Sequence, residues 1–243
     1  MIAARPACNT NFYSASADTV REWVAGLTDE SRPSPLSTAL VAGLVPHAGW
    51  SYCGAVAGRV WRMLRDNSHP DTIILFGTVH YPGVAANAAY PGGEWETPLG
   101  PVEVDAELAR MLAEQLGGLM VLEAAAHDQE HSIEVHLPFI KALFPEAKIV
   151  PIAVPPSPGA VPLGERTGAL TLDLSVLAVG STDLTHYGDR YMFVPRGKGP
   201  DAHEWMRNND RRVLDLGRVQ AHRVRSATSS PPCFRDGARF PHF

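Results

Sequence analysis

The sequence has few cysteines and no excess of basic residues. Cys8, Cys53 and Cys233 are too few and too widely spaced for a disulfide framework, so we expect a reducing, cytoplasmic location. The formal net charge of −5 at pH 7 argues against nucleic acid or an anionic membrane as a partner. No basic region leads into an apolar stretch at the N-terminus, so we expect no secretory signal.

Long apolar runs without interruption are also missing. Asp, Glu, Lys and Arg are absent from Pro33 to Gly58, a length that would suit a membrane span. Pro35, Pro46 and His47 interrupt this stretch, so we interpret it as a buried strand followed by a glycine-rich loop and a helix. With 45% hydrophobic and 19% charged residues, the chain has enough apolar content for a core and is no disordered protein.

Several common catalytic motifs are incomplete or absent. The chain has no GxGxxG motif, and Met192 stands where a P-loop ending near Lys198 would need its first glycine. The segment from Gly49 to Cys53 approaches a nucleophile elbow, but Cys53 replaces the last glycine. Nucleotide binding and a serine nucleophile are therefore unsupported.

Short apolar runs alternate with amphipathic stretches, the pattern of a layered α/β domain with a mostly parallel or mixed central sheet and helices on both faces. The predicted strands are Ala39–Val45, Thr72–Phe76, Lys148–Val154 and Ser175–Val179. The predicted helices are Cys53–Arg65, Asp105–Leu116, Pro138–Phe144 and His203–Leu216. Asp105 is a suitable N-cap, Pro138 suits a first helical turn, and 155–164 is interpreted as a proline-rich loop.

Three predicted strands each deliver a histidine just beyond their carboxyl end. These residues are His47, His80 and His186, each close to glycine or proline. A single histidine at a strand end is more often an ordinary loop residue. If the strands are parallel neighbours, however, all three side chains converge where open α/β sheets bind ligands. We therefore expect a shared site.

A further histidine cluster lies between His127 and His136. His131 and Glu134 would share one face of a helix, but His131 and His136 are five residues apart, so this is not a zinc-protease helix. The segment is interpreted either as a polar turn before the helix at Pro138 or as support for the histidine site.

The C-terminal 26 residues differ in composition from the rest. From Arg218 to Phe243 there are five arginines and one aspartate, a net charge of +4, with many serines and prolines. We expect a solvated, disordered tail, and an acidic binding partner is the less favoured reading.

Four segments together resemble the Memo family, known in bacteria as AmmeMemoRadiSam system protein B. They are Pro46-His-Ala-Gly with Tyr52-Cys-Gly, the turn from Gly77 to His80, Glu130-His-Ser-Ile-Glu-Val-His-Leu-Pro-Phe139, and Ser181-Thr-Asp-Leu-Thr-His-Tyr-Gly188. The last two are specific, and the resemblance runs from about residue 40 to about residue 216. It implies a single domain, 1–217, similar in fold to the catalytic subunits of class III extradiol dioxygenases. Residues 218–243 do not resemble the family and are interpreted as a divergent or frameshifted terminus.

The resemblance also implies a site. His47 and His80 match the family's metal-binding histidines, and His186 with Asp183 matches the general base. The third ligand of the family is a cysteine in a Cys-Gly context, for which Cys233, followed here by Phe234, is the available match. Around the pocket we place the remaining candidates, His131, Glu134, Trp50 and Tyr187, although both aromatic residues could equally be packing residues.

These residues suggest a non-haem iron oxidoreductase of dioxygenase type. Two imidazoles and an anionic ligand suit Fe(II), with Cu or Zn as alternatives, and His186 would take a proton from a small phenolic or aromatic substrate. The first alternative is a non-catalytic module that binds a ligand, a peptide or a partner, and the second is a metal-dependent hydrolase. A homo-oligomer is compatible with either.

Overall fold

The computed structural model describes residues 4–7, 10–28, 36 and 39–227, and the side chains of the last helix as far as residue 215. The strands are β1 (Ala42–Val45), β2 (Thr72–Thr78), β3 (Ala88–Ala89), β4 (Glu94–Trp95), β5 (Val102–Glu103), β6 (Val121–Leu122), β7 (Lys148–Val154) and β8 (Val176–Ser181). The helices are α1 (Ala17–Leu27), α2 (Trp50–Asn67), α3 (Ala106–Leu116), α4 (Leu137–Leu143), α5 (Ala160–Leu170) and α6 (Pro200–Ala227).

Six strands form one mixed, mostly parallel sheet in the order β1-β8-β2-β7-β3-β6. The pairs β1/β8, β8/β2, β2/β7 and β3/β6 are parallel, and β3 is antiparallel to β7. Strand β8 therefore lies between β1 and β2, which confirms that three strands predicted to carry histidines are parallel neighbours. Strands β4 and β5 form a separate two-stranded sheet.

Helices cover the sheet on both faces, as predicted. Ile73 and Leu75 of β2 belong to a core that includes residues of α1, α2 and α4. Ile74, between them, belongs to a second core with residues of α3 and α5. All three side chains are fully buried, because alternate residues of a strand point to opposite faces.

The local signals for two helices are confirmed. The side chain of Asp105 accepts a hydrogen bond from the Leu108 amide at 2.9 Å, so it caps α3. Pro138 lies in the first turn of α4, where its missing amide proton costs nothing.

Two helices differ from the predictions. Helix α5 starts at Ala160, inside the stretch interpreted as a proline-rich loop, since Pro162 fits the first turn of a helix. Helix α1 was not predicted; it buries Val20 and Val24, and the Ser16 side chain accepts from the Thr19 amide.

The chain divides into two compact units, Met1–Asp183 and Leu184–Phe243. The first contains both sheets. In the second, Tyr187, Phe193 and Trp205 form an aromatic cluster, with ring centroids 5.9 to 6.2 Å apart. Asp210 of α6 accepts hydrogen bonds from the amide and hydroxyl of Thr185.

Helix α6 contains the predicted helix from His203 to Leu216 and continues to Ala227. The backbone of residues 218–227 is thus helical, where we expected no regular structure. The division of the chain at residue 217 stays a prediction, and 228–243 lie outside the described residues. Within the described part of the chain, no helix has both the length and the apolarity needed to cross a membrane.

Candidate metal centre

Three histidine side chains meet at the carboxyl edge of the main sheet. His47 follows β1, His80 follows β2, and His131 lies in the loop before α4. Each ring offers one nitrogen, and these three atoms lie within 4.8 Å of one another. We call these three residues the histidine triad. The convergence of His47 and His80 follows from the strand order, as expected, whereas His131 joins them from a loop.

His47 is held by the end of β8. Its backbone amide donates to Asp183 Oδ1 at 2.8 Å, and its Nδ1 lies 2.8 Å from the hydroxyl of Ser181. The ring is buried, with 3% of the residue exposed. These bonds fix both the backbone and the ring of His47, and they give Asp183 a positioning contact within the first unit.

The hydrogen bonds of Ser181 determine which nitrogen of His47 carries the proton. The Ser181 hydroxyl donates its single proton to the carbonyl of Ser132 at 2.6 Å. It must therefore accept from both His47 Nδ1 and His136 Nε2, which lies 3.0 Å away. The lone pair of His47 is consequently on Nε2. His136 then has its lone pair on Nδ1, which accepts from Trp61 Nε1 at 3.4 Å.

His80 is held by the carboxylate of Glu130. The backbone amide of His80 donates to Glu130 Oε2 and its Nδ1 donates to Oε1, both at 2.8 Å. This contact with the carboxylate raises the pKa of His80 above its ordinary value. A carboxylate on Nδ1 leaves Nε2 as the nitrogen for a metal ion and is the usual support of a metal-binding histidine.

The Glu130 carboxylate accepts hydrogen bonds from both loops that carry His80 and His131. Burial alone would raise its pKa, but hydrogen bonds from His80 and from the Ser132 amide outweigh burial and lower the pKa to about 2. The amides of His131 and Ser132 both donate to Oε1 at 2.9 Å. Glu130 is therefore an anion at neutral pH and ties together the two loops that carry His80 and His131.

His131 lies between two parallel rings. Phe12 stacks on one side with ring centroids 4.1 Å apart, and His80 on the other at 4.4 Å. Burial, assisted by the neighbouring His80, lowers the pKa of His131 to about 4. The imidazole is thus neutral at pH 7 and can donate a lone pair to a metal ion.

The donor set fits a transition-metal ion. Imidazole nitrogen suits Zn, Cu, Fe and Ni, and three protein ligands on one side leave positions open for small molecules. The triad matches this chemistry because its nitrogens are close together and two of its rings are fixed by hydrogen bonds that Nδ1 donates. The nature of the metal does not follow from the geometry.

Two of the predicted pocket residues, Glu134 and Trp50, are buried and bonded to groups outside the triad. Glu134 is fully buried and pairs with Arg5 at 2.7 Å and with the Tyr13 hydroxyl at 2.9 Å. Trp50 is buried, donates to the Val135 carbonyl at 2.9 Å and packs on Phe139. Trp50 thus has the position of a packing residue, which the sequence had left open as an alternative to lining the pocket.

Of the remaining predicted site residues, the structure describes two, both in the second unit. His186 and Tyr187 belong to the second unit, where His186 Nδ1 lies 3.1 Å from the Leu184 carbonyl and Tyr187 donates to the Gly197 carbonyl. Their role stays a prediction. Cys233 lies outside the described residues.

The sequence did not single out three residues that contact the triad, Glu130, Ser181 and Phe12, or Arg5, which bonds to the Glu130 carbonyl. Glu130 had a usable signal, since an acidic residue directly precedes His131. Ser181 lies at the end of a predicted strand. Arg5 and Phe12 gave none, because their partners lie more than a hundred residues away in the chain.

The fold and the site define a class: an α/β protein with three histidines that could hold a metal ion at the carboxyl edge of its sheet. The model of the Memo family, described as Memo-like protein, matches residues 5–227. The chain belongs to this family. Relatives named MEMO1 family protein include that of Thermococcus onnurineus, 38% identical over 184 residues (72% of this chain, 63% of the relative), and that of Pyrococcus furiosus, 35% identical over 218 residues (84% and 74%).

A third relative, from Pyrococcus abyssi, is 36% identical over 193 residues, which are 74% of this chain and 66% of the relative. The chain therefore spans slightly less than two thirds of the length of the relatives from Thermococcus onnurineus and Pyrococcus abyssi.

Proposed function

We propose that this chain binds one divalent transition-metal ion, Fe(II) by preference, through the histidine triad and oxidises a small phenolic or aromatic molecule. The observation that carries the proposal is that three imidazole nitrogens, one of each residue, lie within 4.8 Å of one another. A bound Fe(II) would supply the redox chemistry with O₂ that protein side chains lack.

The described residues support a site for a small molecule. A cavity of about 350 Å³ lies beside Glu130 and is lined by Val79, Tyr81, Pro82 and Val84 among others. This volume lies in the range of small-molecule pockets, and the lining combines these apolar and aromatic side chains with the polar side chains of Asp128, Gln129 and Glu130.

We assign His186 the role of general base, as the family resemblance implies. Its Nδ1 lies 3.1 Å from the Leu184 carbonyl, which can only accept, so Nδ1 carries the proton and Nε2 the lone pair. A neutral imidazole is suited to take the proton of a bound phenol. Asp183 would assist by holding His47 in place.

Metal analysis tests the first half of the proposal. The full chain, purified without oxygen, should retain stoichiometric metal, and His47→Ala, His80→Ala and His131→Ala should each lower the affinity at least about 100-fold, the upper range for losing even an outer partner of a metal ligand. His69→Ala, an exposed histidine outside the triad, is the matched control. Equal metal content in all four variants would overturn the site. Cys233→Ala tests the remaining predicted ligand in the same assay.

Oxygen consumption with a panel of catechols tests the second half. The iron-loaded chain should consume O₂ with at least one catechol, and His186→Asn should lower kcat while leaving metal content unchanged. Metal binding without turnover of any substrate would favour the non-catalytic binding module.

A second candidate, a metal-dependent hydrolase, is favoured by one observation. The triad is made of three histidines without a carboxylate, the donor set of zinc enzymes that activate water. Ester hydrolysis by the zinc-loaded chain, lost in His80→Ala, would support this candidate over the oxidoreductase.

A further inference from the structure

Arg5 lies buried beneath the loop that carries part of the histidine triad. Only 4% of the residue is exposed, and its guanidinium carbon lies 4.0 Å from the centroid of the Trp95 ring. An isolated β-bridge also pairs the backbone of Arg5 with that of Trp95. An arginine near the start of the chain is thus built into the protein interior.

The guanidinium makes a fork of hydrogen bonds to residues 122 to 129 positions later in the chain. Nη1 donates to Glu134 Oε2 at 2.7 Å. Nε and Nη2 both donate to the His127 carbonyl, at 2.9 and 2.7 Å, and Nη2 also donates to the Glu130 carbonyl at 3.0 Å. The Tyr13 hydroxyl donates to the other oxygen of Glu134. We call Arg5, Tyr13 and Glu134 the arginine clamp.

Glu130 connects the arginine clamp to the metal centre. Arg5 holds its backbone carbonyl, while the side-chain carboxylate of Glu130 holds the ring and amide of His80 and the amide of His131. A shift of the Glu130 backbone would therefore move the groups that orient two of the three triad rings. Metal sites need their ligands within about 0.5 Å of the productive geometry.

Stability alone gives a poor reason for this arrangement. A buried ion pair such as Arg5–Glu134 often contributes no more to stability than apolar residues of similar volume would, because both charges lose their water. The planar fork of arginine offers something that lysine and apolar residues cannot: several donors in fixed directions. Here those donors reach two backbone carbonyls and a carboxylate at once.

We propose that Arg5 is a positioning residue of the metal centre: it fixes the 127–134 loop so that Glu130 presents His80 and His131 in metal-binding geometry. The metal-binding part of this inference rests on the proposed function, whereas the ordering of Glu130 and its partners does not. Both can be measured on the full chain.

The principal variant is Arg5→Lys. It retains a cation beside Glu134, so the buried carboxylate is not left alone, but it cannot reach both carbonyls and the carboxylate together. Tyr13→Phe is the matched control, because it weakens the same clamp at Glu134 and leaves the bonds from Arg5 to His127 and Glu130 in place. A second variant, Arg5→Met with Glu134→Leu, replaces the pair by apolar residues and keeps the inference testable if Arg5→Lys folds poorly.

The first measurement is the dissociation constant for Co²⁺, used as a spectroscopic probe, together with the thermal midpoint of the metal-free protein. Arg5→Lys should weaken Co²⁺ binding about 10- to 100-fold, the effect of losing an outer partner of a metal ligand. Tyr13→Phe should lower the thermal midpoint and leave the dissociation constant within about twofold. Equal dissociation constants for Arg5→Lys and the wild type would overturn the inference.

The second measurement needs no metal. The amides of His80, His131 and Ser132 all donate to Glu130, and their hydrogen exchange should accelerate in Arg5→Lys relative to Tyr13→Phe. Amides of β2 and β7 should exchange as in the wild type. If the wild type binds no metal, the proposed function fails, and this exchange experiment still decides the inference: unchanged exchange at the three amides contradicts it.

Discussion

His127, His131 and His136 lie within ten residues of one another, but their surroundings in the structure differ. His127 and His136 are fully buried; His127 Nε2 donates to the Ala88 carbonyl, and His136 is bonded to Ser181 and Trp61. His131 lies at the surface of the site, between Phe12 and His80. Two of three histidines within ten residues are therefore core residues.

The difference teaches that the partner of each ring, and not its spacing, decides its role. A histidine becomes a ligand where one nitrogen is left toward an open position and the ring is held by other contacts. It becomes a core residue where the ring is buried and at least one of its nitrogens bonds to the protein in the interior. This distinction is tested by variants and conditions that change either the histidine triad or the core histidines His127 and His136, but not both.

The largest effect is expected when two ligands are removed. His80→Ala with His131→Ala should lower the metal affinity at least about 10⁴-fold, since each ligand should contribute at least the 100-fold that outer partners reach. Because neither ring belongs to the hydrophobic core, the metal-free variant should keep most of its stability. Isothermal titration with Zn²⁺ and urea unfolding check the two statements, and retained affinity would remove the triad from consideration.

At acid pH, the two core histidines should lower the stability of the protein. Burial lowers the pKa of His127 to about 4 and that of His136 to about 3, below the ordinary 6.5. The unfolded chain therefore binds more protons below about pH 6.5, so stability falls as the pH drops from there toward the folded-state values. For His127 the loss is on the order of 3 kcal/mol between pH 7 and pH 4.

Urea unfolding of the metal-free protein at several pH values measures this loss. His127→Phe should reduce the pH dependence by that amount, whatever its effect on stability at pH 7. A pH dependence equal to that of the wild type would show that His127 is not held neutral by burial.

Ser181 joins the two groups, since its hydroxyl accepts from His47 and from His136. Ser181→Ala should cost about 2 kcal/mol of stability, because buried partners lose their hydrogen bonds. It should also lower the metal affinity about 10- to 100-fold, as the ring of His47 is no longer oriented. Thermal unfolding and metal titration of one preparation measure both; an effect on stability alone would make Ser181 a core residue only.

The smallest effect is expected at His69, an exposed histidine. His69→Ala should change neither the stability by more than about 0.5 kcal/mol nor the metal affinity. The same unfolding and titration experiments apply. A loss comparable to that of the triad variants would mean that histidine content in general, and not the triad, determines metal binding.

The sequence was a good guide to the edge of the sheet and a poor one to the loops that meet there. Apolar runs predicted β2, β7 and β8, and His47 and His80 come together because the carboxyl ends of the parallel strands β1, β8 and β2 lie at one edge. A helical turn was predicted over residues 131–134, and His131 was therefore predicted to line the pocket and not to bind the metal. The structure has a short 3₁₀ turn at Glu134–His136 instead, with His131 before it.

The contacts around the triad could not be predicted from the sequence, because they join residues that are far apart in the chain. Arg5 and Glu134 are 129 residues apart, and His47 and Ser181 are 134 apart. Hydrophobic periodicity and capping signals act over a few residues and say nothing about such pairs. The family model covers residues 5–227 and so includes both partners, but it records similarity and not contacts.

The distance in sequence between Arg5 and Glu134 has a consequence for how the protein is made. Synthesis proceeds from the N-terminus, so Arg5 emerges from the ribosome long before Glu130 and Glu134, and His47 long before Ser181. A nascent chain already carries His47 and His80 without the groups that orient them. The triad can therefore take its finished geometry only after the last strand of the sheet has been synthesised.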